Sequence, residues 1–280
     1  MATTDSRLQN GPHYHEDPAV WSRIYEEADV SSVVHQSRLA MARESLSCLP
    51  PPRPGARAVD VGCGAGQFSL ILAGHGYRVT AIDRVPGMLM QARHHIAAAS
   101  AATKPSLVRA EAEALPFPNE SFDMVTALGV IPWVEDCEAA LAEMVRVLRS
   151  DGRLLVSASN SSRLTWLVDP LNNPHLAGLR RIIKGMLLRL GLPTPRRPPI
   201  ANVHSVREFN AVLATLRLQV VTGRTVGFGP VTLFGRGVLP RRAGVFVHRS
   251  LQWLVDHGVP WLSTAGAQYL VLARKTSAPG

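Results

Sequence analysis

The chain has 280 residues, of which 46% are hydrophobic and 18% charged, with 22 Gly and 21 Pro. That is enough for one large domain, or one domain with an appendage, and it excludes a disordered, collagenous or coiled-coil protein. Charge is uneven within the net +9: residues 1–150 carry 13 Lys/Arg against 17 Asp/Glu, whereas residues 151–280 carry 17 against 4.

Residues 1–18 read as a poorly ordered arm, and 19–49 carry helical spacing through Val20, Ile24, Val33, Val34, Leu39, Ala42 and Leu46, giving an N-terminal helical arm over 1–49. PPPRPG at 50–55 ends that pattern. From there strands and helices alternate. Strands are expected at 58–61, 78–82, 106–110, 122–128 and 153–158, and helices at 66 to about 75, 87 to about 102, and 138–148. Strands separated by helices of this length need parallel crossovers, so the fold class is α/β, a doubly wound and mostly parallel sheet whose ligand site lies at the switch in strand order. An insertion over about 160–202 interrupts the alternation and reads as a cap. On its amphipathic helix Leu176, Leu179, Ile183, Met186, Leu187 and Leu190 share a face, which is expected to pack on the core, with peripheral membrane contact as the alternative. S-V-R-E at 205–208 is a capping box opening a helix to 216, followed by strands at 219–226 and 268–274. Residues 50–280 thus form one domain carrying the cap.

No apolar run of about 18 residues exists and the N-terminus lacks an apolar signal core, so the expected location is cytoplasmic. Cys48, Cys63 and Cys137 have no C-x-x-C spacing, which argues against a disulfide framework and a zinc site, and no metal is expected.

The densest chemical signal is VDVGCGAG at 59–66, a strand that ends in an acid and runs into Gly62, Gly64 and Gly66 at a helix mouth. Glycines permit the turn and let a ligand approach the backbone. Gln67 stands where the third glycine of a pyrophosphate fingerprint would be, which disfavours a dinucleotide. Asp83 ends the second strand, where a carboxylate can accept from ribose hydroxyls. Asp60 and Gly62 suit an ammonium tail.

These motifs, with EAEALPFPNESFDMV and RVLRSDGRLLVSA, resemble the class I S-adenosylmethionine-dependent methyltransferases, notably the ubiquinone/menaquinone-type and small-molecule branch. The resemblance covers about a third of the chain, 59–152. It implies S-adenosylmethionine as cofactor, Asp83 as the ribose acid beside Arg84, Met88 in the following helix, Glu111 and Ala112 at the adenine, Leu128 at the methionine part, and Gly152 in the turn before the fifth strand. An N-terminal aromatic closes over the cofactor in similar enzymes, and Tyr14, Trp21 or Tyr25 could do so. Val85 replaces the family's frequent helix-capping Ser, and Glu111 its frequent Asp. ALGVIPWVED lacks the proline pair and aromatic of enzymes that methylate adenine or glutamine amides.

Methyl transfer needs positioning and removal of water more than acid-base help. If a base is used, His204, His175 and His35 are the candidates. The glycine-rich, apolar stretch 223–239, with Phe228 and Phe234, fits the wall of a hydrophobic pocket. The expected activity is methylation of an O, N or C nucleophile on a small apolar or aromatic acceptor of secondary metabolism, natural-product, isoprenoid or quinone-like. Two alternatives stand beside it: an RNA methyltransferase using the basic half, disfavoured because no added RNA-binding module is visible, and an S-adenosylmethionine-binding protein without methyl transfer.

Overall fold

The computed structural model describes residues 30–100, 103–173, 176–190, 202–233 and 236–276. The expected arm at 1–18, with the aromatic candidates Tyr14, Trp21 and Tyr25, lies outside them. The first half alternates: α1 (Val30–Ser47), β1 (Arg57–Val61), α2 (Gln67–Gly74), β2 (Arg78–Asp83), α3 (Pro86–Ala98), β3 (Ser106–Arg109), β4 (Phe122–Ala127) and α4 (Cys137–Val147). Then follow β5 (Leu148–Asn160), α5 (Leu164–Val168), α6 (Ala177–Arg189), β6 (Val203–His204), α7 (Val206–Thr215) and β7 (Leu218–Val226). A small hairpin of β8 (Thr232–Leu233) and β9 (Arg236–Gly237), then α8 (Arg241–Asp256) and β10 (Gln268–Lys275), complete the order.

The sheet runs β3-β2-β1-β4-β5-β10-β7, with β6 paired to β5. β1 is parallel to both β2 and β4, and β10 is antiparallel to β5 and β7. Side chains alternate across the sheet as the pleat requires. Val59, Val125, Leu154, Val156 and Val271 join one core with Leu141 and Met144 of α4 and Phe209 and Leu213 of α7. Their neighbours Ala58, Met124, Leu155, Leu270 and Leu272 join the other, with Met41, Ala42 and Leu46 of α1 and Phe68 and Leu72 of α2. Both faces are therefore covered, and strand order reverses between β1 and β4, which leaves a crevice at their carboxyl ends.

Several details differ from the sequence reading. Before the long run of β5, the left-handed residue is Asp151 (φ 63°), not Gly152. Gly152 supplies room, since a Cβ there would lie 2.7 Å from Leu148 Cδ1 and 2.8 Å from the Arg149 carbonyl oxygen. On the face expected to pack on the core, Leu179, Met186 and Leu190 are exposed. None of the described residues of 223–239 lines the cleft. The start of that stretch is β7, Phe228 is buried, and the remainder forms the β8–β9 hairpin; Phe234 lies outside the described residues. Helix α8 was not expected.

The capping box forms as read. Ser205 Oγ accepts the Glu208 N–H at 3.2 Å and Glu208 Oε2 accepts the Ser205 N–H at 2.7 Å. Ser205→Ala should lower stability by about 1 kcal/mol in urea unfolding, and an unchanged midpoint would show that the box contributes nothing to α7.

Candidate functional site

The crevice is a cleft of about 1150 Å³, its open mouth included. Its floor is made where β1 turns into α2. Gly62 takes φ 63°, and a Cβ there would run into the Val130 side chain, so only glycine fits both the turn and its neighbour. The Cys63 N–H donates to the Ile82 carbonyl at 2.8 Å, and Gly66, at φ 82°, is the N-cap of α2.

Asp83 ties this loop to the next one. Its Oδ2 accepts the Gly64 N–H at 3.0 Å and its Oδ1 accepts the Val85 N–H at 2.9 Å. With Val85 in place of a capping Ser, α3 starts without a side-chain cap and with Pro86 in its first turn. Asp83 also lines the cleft.

Asp60 projects from β1 and is only 2% exposed. Ser69 Oγ donates to one of its oxygens at 2.6 Å and Thr126 Oγ1 to the other at 2.7 Å. Burial pushes the carboxyl up to about 6, against the two hydroxyl bonds, which pull it down.

The opposite wall holds a residue that the motifs did not indicate. Arg38 of α1 is 5% exposed and its Nη1 donates to Gln268 Oε1 at 3.2 Å. Its guanidinium lies against Gly129 (φ 82°), where any Cβ would collide with it, and the Gly129 N–H donates to Ser157 Oγ at 2.8 Å. The available signal was an arginine at i+4 from Val34 and i−3 and i−4 from Met41 and Ala42, on an otherwise apolar helix stripe. A buried cation facing a cleft is costly without an anionic partner.

The third side is the loop after β3. Arg146 donates to the Phe117 and Leu115 carbonyls at 2.7 and 2.9 Å while pairing with Glu143, and Glu143 accepts the Leu115 N–H at 2.8 Å. These bonds pin the loop to α4. A tight bridge between Glu111 and Ala114 turns Ala112 and Glu113 inward.

Of the residues expected at the cofactor, Asp60, Gly62, Gly64, Asp83, Arg84, Met88, Ala112 and Leu128 line the cleft together. Gly66 acts one step back, as a helix cap. Glu111 is exposed and off the lining, because the bridge that turns its neighbours inward points it outward. Of the candidate histidines, His204 on β6 lies with its ring 5.7 Å from that of Phe209, His35 stands one turn before Arg38 on α1 without joining the lining, and His175 lies outside the described residues. Trp133 and Val134, from the turn after β4, join the apolar wall with Phe68, Leu39 and Val130. Among the described residues no three metal-ligating side chains converge.

With this geometry in hand, comparison with known proteins is informative. Residues 59–156 match the family model described as a methyltransferase domain. A malonyl-[acyl-carrier protein] O-methyltransferase from Serratia marcescens is 36% identical over 126 residues, 45% of this chain and 47% of that protein. A ubiquinone/menaquinone biosynthesis C-methyltransferase, UbiE, from Geobacter sulfurreducens is 27% identical over 183 residues, 64% of this chain and 71% of that protein. The chain spans about half the length of most of the curated relatives it matches. In structure it is similar to magnesium protoporphyrin IX methyltransferase from Synechocystis with bound S-adenosylhomocysteine, with TM-score 0.60, 17% identity and coverage of 97% and 99% of the two chains. Residues 59–156 therefore carry the match to a methyltransferase domain, and the fold around them is similar to that of the Synechocystis enzyme. The sequence relatives include UbiE and malonyl-[acyl-carrier protein] methyltransferases.

The raised Asp60 carboxyl has a thermodynamic signature. Its folded value of about 6 lies above the ordinary 3.8, so its stabilising contribution is full below about pH 4 and is lost as pH rises through 6. Asp60→Asn removes the buried charge and should gain roughly 2–3 kcal/mol over wild type at neutral pH, shrinking toward zero near pH 4. Urea unfolding across that range checks it; a difference independent of pH would refute the assignment.

Proposed function

We propose that the protein transfers a methyl group from S-adenosylmethionine to an O, N or C nucleophile of a small apolar or aromatic molecule. The carrying observation is the Asp83 carboxylate, held by two backbone N–H groups at the switch in strand order and set in the lining of the cleft. When bound, the cofactor supplies an electrophilic methyl group on a sulfonium.

The chain's residues fit such a ligand part by part. Asp83 accepts from the ribose hydroxyls, and Met88, Val85 and Ala112 form a slot for adenine. Arg38 and Asp60 offer opposite charges to the carboxylate and ammonium of the methionine tail, each charge otherwise poorly compensated in its buried place. No phosphate cradle is required.

For the acceptor, Trp133, Val134, Val130, Phe68 and Leu39 provide an apolar wall, which supports an apolar or aromatic molecule. UbiE relatives, named for quinone biosynthesis, point the same way. The wall excludes water and orients the nucleophile, the two contributions that an in-line displacement needs most. Among the described residues the lining carboxylates able to accept a proton are Asp60, Asp83 and Glu113, and neither His204 nor His35 lines the cleft.

Calorimetric titration should find S-adenosylmethionine and S-adenosylhomocysteine binding on the order of micromolar, weakened at least about tenfold in Asp83→Asn. Absence of binding to wild type would overturn the proposal. Wild type incubated with phenolic and quinol acceptors should then accumulate S-adenosylhomocysteine; tight cofactor binding with no turnover on any acceptor would favour a binding protein.

A further inference from the structure

Among the described residues no Lys or Arg of 151–280 lines the cleft. Two helices, α6 and α8, carry seven of them and also expose apolar side chains. In α6 and its cap, Leu179, Ile182, Met186 and Leu190 follow at i, i+3, i+7 and i+11, on one face, and all four are more than half exposed. The helix carries Arg180, Arg181, Lys184 and Arg189 and no acid. In α8, Arg242, Phe246, Arg249 and Trp253 follow at i, i+4, i+7 and i+11 and form the solvent stripe, with Phe246 71% and Trp253 58% exposed. The other side of α8 is anchored: buried His248 accepts the Phe228 N–H at 3.1 Å and bonds Ser37 of α1 at 3.1 Å. The one acid of α8, Asp256, is taken by Arg224 at 2.7 Å. The two helices are linked through the small hairpin, since Thr232 of β8 donates to Asp169 beside α5 at 2.6 Å, and β9 leads directly into α8.

We propose that these two faces seat the protein on an anionic phospholipid bilayer. Aliphatic side chains of α6 and Phe246 of α8 enter the boundary between headgroups and acyl chains, while Trp253 of α8 occupies the interface, where a large apolar body with a polar edge is favoured. The arginines lay their stems along the apolar surface and reach phosphates with their guanidinium groups. Charge complementarity selects the occupant: Arg242 and Arg249 stand in the α8 stripe, Arg189 flanks the α6 row, and among the described residues no unpaired carboxylate lies on either, so the surface meets a negative one. RNA would match the alternation of Arg and aromatics on α8 but has nothing to offer the aliphatic row of α6, which cannot stack on bases. The inference concerns a surface apart from the cleft and does not depend on methyl transfer.

The full chain is sedimented with vesicles of phosphatidylcholine alone and of phosphatidylcholine with phosphatidylglycerol. Partition onto the anionic vesicles should exceed that onto neutral ones at least about tenfold and fall as salt is raised. The pair Ile182→Ser with Met186→Ser, and separately the pair Arg242→Glu with Arg249→Glu, should each reduce it at least about fivefold while the melting temperature stays that of wild type. No partition, equal partition onto both vesicle types, or partition that survives either pair overturns the proposal. Retention of single-stranded RNA without vesicle binding also overturns it and assigns the surface to nucleic acid.

Discussion

One carboxylate holds the cleft in shape. Asp83 satisfies the N–H of Gly64 in the loop after β1 and that of Val85 at the entry to α3, so two segments that share no direct ladder are joined through a single side chain. The loop needs such an acceptor, because its glycines turn left-handed and send their N–H groups away from the sheet. The position of Asp83 follows from its place as the last residue of a parallel strand beside β1.

Around that strap the protein keeps two buried charges of opposite sign. Asp60 is raised by burial even though two hydroxyls bond it, and Arg38 is nearly as buried with an amide as its partner. Satisfying each with a full ion pair inside the protein would make the empty cleft more comfortable and a zwitterionic ligand less welcome. The arrangement stores destabilisation where ligand charge can relieve it, the usual relation between strained sites and function.

The sheet was legible because its strands obey a period of two on both faces while the helices between them obey 3.6. The glycine loop and Asp83 were legible because close backbone approach and a strand-end acid leave few substitutes. What escaped has physical reasons. Periodicity finds the apolar row of α6 but not whether anything covers it, and α8 hides its helical pattern by putting Phe246 and Trp253 on the solvent side with arginines. Arg38 becomes meaningful only when β10, more than 200 residues later, supplies Gln268. Glu111 and Glu113 stand two apart, and a local bridge decides which faces inward. The histidines looked chemically apt, yet proximity to the cleft is a property of topology that residue type does not carry.

The bond between Arg38 and Gln268, 230 residues apart, also fixes an order of events. A chain emerging from the ribosome can assemble β1, β2, β3 and β4 with the glycine loop and Asp83 early, since their contacts are comparatively local. The α1 wall is different: its arginine finds its amide partner only after β10 has slipped between β5 and β7. The same late strand thus completes the sheet and locks α1 into the wall of the cleft.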